Sequence, residues 1–413
     1  MDETRAPEQG SEREKRALDW ITKLADLPER AAGSSSEREA ASRIASWMEE
    51  LGVSEVRIEP VASRPRSGWG LAVHGAVAAF GVFAGGFVGA SLAVLAAVSF
   101  RMEMHRRGRW LSRLLPAPES VNVVGCVRAG APRARVVLSA HIDAAQAGWL
   151  FAKPLADFFA SRAQRARRDG APPSGPNALP EAVMLGAAAV AVASVLGASG
   201  IVVGLATAAA GAAAVLTAVL GAQWAMAPCS PGANDNASAV AAMLTCAEQL
   251  LAQLPPDVEV WLVGTGAEEV GCCGMRALVE AHPEWRSDRT FFVNFECVGG
   301  GALHWIRSEG TLGKTGYPPL LVELARRVAA SGAFGEVTPT DLLAGTDGHV
   351  PAEHGHPALS LISLDPNGVP HNYHRLDDVP EAIDLAMVVR AADFGAAVAA
   401  SAVRGDAGPI AIV

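Results

Sequence analysis

The sequence predicts an α/β fold: a three-layer α/β/α sandwich around a mostly parallel sheet, interrupted by two all-α apolar membrane hairpins. Three observations carry this. Strand-like and helix-like segments alternate through most of the chain, the pattern of βαβ units. Polar clusters recur at the C-terminal ends of the strand-like runs, where open α/β sheets place their sites. The chain also has no formal charge from Ser67 to Phe100 and none from Ala182 to Asn234.

Residues 1–10 are polar and read as a disordered, frayed terminus. SEREKRALDWITKLADL and SSSEREAASRIASWMEEL then place apolar residues at helical spacing. The second opens with Ser34 or Ser36 three residues ahead of a glutamate, a capping-box pattern. SEVRIEPV alternates like an edge or half-buried strand, and VNVVGCVRA and ARVVLSAHIDA follow the first apolar block as two more strands. Past the second block come helix NASAVAAMLTCAEQLLAQL, strand VEVWLVGTG, helix CGMRALVEAHPEW and strand RTFFVNFECVG. A helix near PPLLVELARRVAA, a strand at PALSLISL and a helix from Pro380 to the region of Val403 complete the order. PPSGPNALP at 172–180 is the one clear linker, and there is no internal repeat. The expected units are α/β segments at 11–62, 120–152 and 228–404, separated by hairpins at 67–100 and 182–227.

Half of the residues are hydrophobic and 19% are charged, against a usual charged share of about 25%. The two uncharged blocks account for that imbalance. A net charge of −9 excludes a general nucleic-acid binder, because no basic surface is rich enough to neutralise a phosphate backbone. Six cysteines, at 126, 229, 246, 272, 273 and 297, lack the CxxC spacing of a structural zinc site, and no secretory signal precedes them. A reducing compartment is the expectation.

Five polar clusters carry the candidate chemistry. SAHIDA presents His141 and Asp143 two residues apart, so that on an extended segment both point the same way. PGANDNASA presents Asp235 ahead of a helix, GTGAEEVG presents Glu268 and Glu269, NFECVGG presents Glu296, and HNYHRLDD presents His371 and His374. Singly, each has a structural explanation: Asp235 or Asn236 as a helix cap, His141 as a hydrogen-bonded core residue, Glu296 in an ion pair, the last histidines on a solvated loop. Two adjacent glutamates at a strand end are the hardest to explain that way, since like charges repel and resist desolvation. Together the clusters form a set of imidazoles and carboxylates without a cysteine ligand. Such sets suit zinc, manganese or cobalt at catalytic sites, and a carboxylate commonly bridges two close metals.

In order, HID, GANDNASA, AEEVGCCG, NFECVG, GTDGHVPAEHGHPA and NYHRLDDVPEAID resemble the motifs of the co-catalytic zinc exopeptidases, the family of bacterial leucyl aminopeptidases and glutamate carboxypeptidase II. The resemblance spans the chain apart from the apolar blocks and the termini. It implies two divalent ions, most simply zinc, and hydrolysis of a peptide or small amide. His141 and Glu296 would complete one metal site and Glu269 and His374 the other, with Asp235 bridging. Asp143 would orient His141, Glu268 would be the general base, and Tyr373 would stabilise an oxyanion. The family usually has aspartate where Glu296 stands, so this carboxylate reaches one methylene further. His371 competes with His374 as ligand, although HRLDDVPEAID after His374 fits the family better. Asp347 and His349 depart from the usual pattern and receive no role. Cys272 and Cys273 either line the pocket or pack the following helix. Two other activities fit the same scaffold: a single-zinc glutaminyl cyclase-like or other amide hydrolase, and a non-catalytic membrane receptor or scaffold.

The shared metal constrains the apolar blocks. His141 and Asp235 on one ion must lie on the same side of any membrane, so the second block crosses an even number of times. The first block obeys the same rule as two short spans or a re-entrant hairpin, because a single span would separate 11–62 from the rest. The soluble alternative is that both blocks are buried hairpins in a lid or dimer interface. Arg64, Arg66, Arg101, Arg106, Arg107, Arg109, Arg113, Lys153, Arg162, Arg165, Arg167 and Arg168 flank the blocks. By the positive-inside rule they imply a cytoplasmic catalytic domain on an integral membrane protein in contact with the lipid bilayer.

Overall fold

The computed structural model describes residues 5–104, 108–168, 178–310 and 314–405. Helices α1 (Arg5–Ala25) and α2 (Ser35–Glu50) lead into strand β1 (Glu55–Ala62). The helix starts at Arg5, so residues 5–10, expected to fray, are helical, while 1–4 lie outside the described residues. Ser34 is the cap of α2, accepting from the Glu37 amide at 3.0 Å, which decides between the two candidate serines. The first apolar block folds as α3 (Ser67–Ala84) and α4 (Gly86–Met104), turning at Gly85 and Gly86, both with positive φ. Strands β2 (Glu119–Val127) and β3 (Ala134–His141) follow, then α5 (Lys153–Arg168), and the second block folds as α6 (Ala178–Val195) and α7 (Ile201–Met226). Residues 172–177 of the expected linker, and Arg106 and Arg107, lie outside the described residues.

The remaining elements are α8 (Ala239–Gln253), β4 (Val258–Thr265), α9 (Cys273–Ala281), β5 (Thr290–Glu296), β6 (Ala302–Glu309), β7 (Thr315–Gly316), α10 (Pro319–Ala330), β8 (Thr338–Leu342), α11 (His349–Glu353), β9 (Ala358–Leu364) and α12 (Leu385–Arg404). The strands form a nine-stranded sheet in the order β1-β2-β4-β3-β5-β9-β6-β7, with β8 on β6. Its centre, β4-β3-β5-β9, is parallel, whereas β1/β2, β2/β4, β6/β9 and β6/β7 pair antiparallel. The mostly parallel sheet expected from the sequence is therefore a parallel centre with largely antiparallel margins. Every residue of β4, β5 and β9 is buried, because helices cover both faces there. One core gathers α1, α2, α8, α10 and α12; a second, smaller one lies beneath α9 and α11. No sequence expectation covered α5, β6, β7, β8 or α11, of which β7, β8 and α11 have five residues or fewer.

The four helices of the apolar blocks pack on one another as a bundle with its own small core. Its helices approach backbone to backbone. A Cβ at Gly221 of α7 would lie 2.5 Å from the Ala72 amide nitrogen of α3, and one at Gly75 would lie 2.6 Å from that of Ala218. Close crossing by small residues is how apolar helices gain contact where burial from water contributes nothing. The one histidine inside these helices, His74, is satisfied within the bundle by the Gly70 carbonyl at 2.7 Å and Ser99 Oγ at 2.8 Å. Arg101 at the end of α4 pairs with Glu181 at the start of α6, so the open ends of the two hairpins meet. Among the described residues, four helices are long and apolar enough to cross a membrane: α3, α4, α7 and α12, with α6 shorter in its apolar run.

Candidate metal centre

Parallel register builds the site. β3 pairs His141 with Thr265 of β4, so the loop carrying Glu268 and Glu269 starts beside His141. β3 also pairs Ser139 with Asn294 of β5, which continues to set His141 next to Glu296. Asp235 sits in the irregular turn before α8, entered through Gly232 at φ 66, and His374 lies on the loop after β9. Backbone strain in the left-handed region concentrates here, at Ala267, Cys272, Cys297, Asn372 and His374.

The side chains converge on two overlapping groups, His141–Asp235–Glu296 and Asp235–Glu269–His374, whose ligand atoms lie within 4.8 Å of one another. His141 Nε2 is 3.2 Å from Asp235 Oδ1 and 3.3 Å from Glu296 Oε1. His374 Nε2 is 3.2 Å from Asp235 Oδ2 and 3.2 Å from Glu269 Oε2. Two donors each about 2.0–2.1 Å from one tetrahedral zinc are about 3.3–3.4 Å apart, so this spacing is that of ligands around a common ion. Both Asp235 oxygens, Glu269 Oε1, Glu296 Oε2 and His374 Nε2 are buried with no hydrogen-bond partner, which a divalent cation would supply. The residues present fit two such ions, with one Asp235 oxygen directed at each group.

His371 does not join them: its Nδ1 meets Asp365 Oδ2 at 3.1 Å, so His374 is the histidine that the fold brings to Asp235. Asp143 does more than sit behind His141. Its two oxygens, 3.0 and 3.1 Å from the backbone amides of Glu268 and Glu269, anchor the glutamate pair, and Oδ1 is 3.5 Å from His141 Nδ1. Three further residues hold the site and carried no sequence signal for that task. Fully buried Arg30 donates to the carbonyls of Ile142, Pro231 and Gly232, clamping the His141 loop to the Asp235 turn. Asp378 accepts from the amides of Asn234 at 2.7 Å and Asp235 at 3.0 Å. Glu37 accepts from the Gly33 amide, one residue before the Ser34 cap, and also from Ser120 and the Ala267 amide.

The electrostatics follow from packing many carboxylates out of water. Burial pushes the Glu268 carboxyl well above the ordinary glutamate range; His141 opposes this, and Glu296, Glu269 and Asp347 add to it. Burial also raises Asp378 and Glu37, each to about 7. Against a desolvation that pulls it down, His374 is pushed up to about 10 by Glu269 and Asp235. The Tyr373 hydroxyl is raised by burial and by the nearby Glu269 and Asp235, so it stays a protonated donor at neutral pH. Its ring stacks on His374 at 3.7 Å, and Phe151 closes on His374 edge-on at 4.4 Å.

Cys272 touches the site, its Sγ 3.1 Å from Glu268 Oε1, whereas Cys273 packs with Val61, Ala267 and Val270. Asp347 accepts from Thr265 Oγ1 and groups with Glu268 and Cys272, so it borders the site. His349 faces Glu309 and Glu353 instead.

Residues 205–399 match Peptidase family M28. That stretch begins within α7 and contains Asp235, Glu268, Glu269, Glu296 and His374, while His141 and Asp143 precede it. The chain is 31% identical over 190 residues to Aminopeptidase YwaD of Bacillus subtilis (strain 168), a match covering 44% of this chain and 40% of that protein's length. The fold is similar to that of BSAP, a zinc aminopeptidase from Bacillus subtilis (TM-score 0.55, 17% identity, 94% of both chains). It is also similar to an aminopeptidase from Aneurinibacillus sp. strain AM-1 (TM-score 0.56, 16% identity, 99% of this chain and 98% of that one). A third likeness is to Fimbriiglobus ruber glutaminyl cyclase (TM-score 0.50, 16% identity, 92% of both chains). The family recognised in the sequence, the co-catalytic zinc exopeptidases, is the one these similarities support.

Proposed function

We propose that this protein is a membrane-anchored metallo-exopeptidase, an aminopeptidase that hydrolyses peptide bonds at a site of two divalent ions. The observation that carries the proposal is the pair of ligand groups sharing Asp235, each with its own histidine and glutamate at ligand spacing. His141, Asp235 and Glu296 would hold one ion, and Asp235, Glu269 and His374 the other. Zinc fits this nitrogen and oxygen donor set, as do manganese and cobalt. Bound there, the ions would supply Lewis acidity to the scissile carbonyl and to the attacking water.

The chain's own residues supply the rest. Glu268, the glutamate left out of both ligand groups that share Asp235, takes the proton from the attacking water and passes it to the departing amine. Its raised proton affinity suits that exchange near neutrality. The Tyr373 hydroxyl donates to the oxyanion that forms on the carbonyl. Asp143 keeps Glu268 and Glu269 in fixed relation through their amides.

The bundle formed by α3, α4, α6 and α7 is the membrane anchor, crossing as two hairpins with both open ends on the side of the α/β domain. Support comes from large apolar side chains on its outer surface: Phe80, Phe83, Phe87, Val88, Leu196, Ile201, Val202 and Leu205 are all exposed. A cytoplasmic α/β domain is the orientation that the arginines at those open ends support by the positive-inside rule.

Glu268→Gln tests the mechanism: metal content should stay near two ions per chain while turnover of aminoacyl reporters falls by about 10²–10⁴-fold. Unchanged turnover removes Glu268 from the mechanism. One ion per chain would instead favour the cyclase-like reading, which rests on fold likeness alone, and none would favour a scaffold.

A further inference from the structure

The centre is built directly onto one end of the bundle. Ser67, the first residue of α3, donates through Oγ to the Glu269 carbonyl at 2.8 Å. In the last turn of α7, the Trp224 indole N–H donates to the Gln146 carbonyl at 3.1 Å, and Gln223 Oε1 accepts from the Trp149 amide at 2.7 Å. The chain leaving Asp143 is thus pinned to the end of α7, and an aromatic line runs from Trp224 through Phe151, at 5.3 Å, to His374. A tryptophan ending an apolar helix marks the level of lipid headgroups.

From that level the chain continues into α5. The stretch Trp149–Arg168 holds Lys153, Arg162, Arg165, Arg167 and Arg168 against the single acid Asp157. Trp149 is 63% exposed and Phe158 53%. Phe158, Arg162 and Arg165 recur at i, i+4 and i+7, so they share one helix face, and the Arg162 guanidinium lies 5.8 Å over the Phe158 ring. Aromatic and basic side chains on one exposed face, continuous with a membrane bundle, match an anionic bilayer surface in both polarity and charge.

We propose that the segment from Trp149 through α5 is a lipid-contacting rim that seats on anionic headgroups, so that the metal centre takes its peptide from the membrane surface. The substrate class is then a peptide anchored in the bilayer with its amino end free at headgroup level. That identification rests on the aminopeptidase reading; the rim itself does not.

The test uses the full-length, metal-loaded protein in nanodiscs of phosphatidylcholine, with or without phosphatidylglycerol. All six native cysteines are buried, so Ala152→Cys, at an exposed position within the rim, takes an environment-sensitive dye selectively. Its emission should shift to the blue when phosphatidylglycerol is present, and high salt or the double variant Arg162→Glu, Arg165→Glu should abolish the shift. In the same anionic discs, a peptide carrying a C-terminal membrane-spanning helix should be cleaved with kcat/KM at least about tenfold above a soluble peptide of identical amino-terminal sequence. The double variant should bring that ratio close to one. A dye that keeps its water-exposed emission in anionic discs overturns the proposal, as does a membrane peptide cleaved no faster than the soluble one. If neither peptide is cleaved, the aminopeptidase reading fails and the dye shift alone decides the rim.

Discussion

Helices α4 and α12 are equal in mean hydropathy and nearly equal in length, yet their surroundings are opposite. In α12, 67% of the apolar window is buried, against α1, α8 and α10; in α4 the share is 39%, and in α7 only 17%. Apolarity therefore states that a helix must leave water, and not what it leaves water for. α12 is a core helix of the α/β domain, while α4 and α7 turn comparable side chains outward, the arrangement that the proposed membrane anchor requires.

Paired truncations should expose that difference most strongly. Phe394 of α12 is fully buried and stacks with Trp305 at 6.3 Å. Phe394→Ala should lower unfolding free energy in detergent by about 3–5 kcal/mol. Phe87→Ala on α4, at a position 78% exposed, should shift it by less than about 0.5 kcal/mol. Equal losses would mean that a partner buries the bundle surface.

A charge sharpens the same contrast. Leu216 lies well inside α7 and is 57% exposed. In a bilayer, Leu216→Lys should cost about 2.5–3.5 kcal/mol of insertion free energy, read as a smaller membrane-inserted fraction of the newly made chain. A soluble hairpin would tolerate the lysine almost without effect, and that result would remove the membrane from the proposal.

The smallest expected effect belongs to the α/β domain alone. Glu37 titrates at about 7 in the fold against an ordinary 4.5, so between those values the folded state binds more protons than the unfolded one. Its contribution to stability therefore falls as pH rises from 4.5 through 7. Glu37→Gln should flatten that decline in denaturation midpoints measured across this range. An unchanged slope would assign it to other buried carboxyls, Asp378 first.

Much of the architecture was legible because periodicity reports what a segment must bury. β3, β4, β5 and β9 declare themselves as apolar runs, and α1, α2 and α8 as helical stripes. β6, β7 and β8 escaped notice because β7 has only two residues, β8 is interrupted by Pro339, and β6 lacks a strict alternation of buried and exposed positions. The candidate ligands were legible as motifs, since imidazoles and carboxylates at strand ends are costly without a purpose. The supports were not. Arg30 resembles any loop arginine until the fold closes around it and gives it three carbonyls. Phe151 has no meaning until α7 delivers Trp224 beside it.

By itself the sequence pointed to the family resemblance, most of the order of the main helices and strands, the candidate metal-ligating residues and the two apolar blocks, because composition, spacing and periodicity are local properties. Tertiary structure alone decided which apolar helix is core and which faces outward, and that the bundle ends against the candidate metal centre. Those outcomes depend on strand register and helix packing between residues far apart in the chain, such as Ser67 and Glu269, whose contact no local pattern encodes.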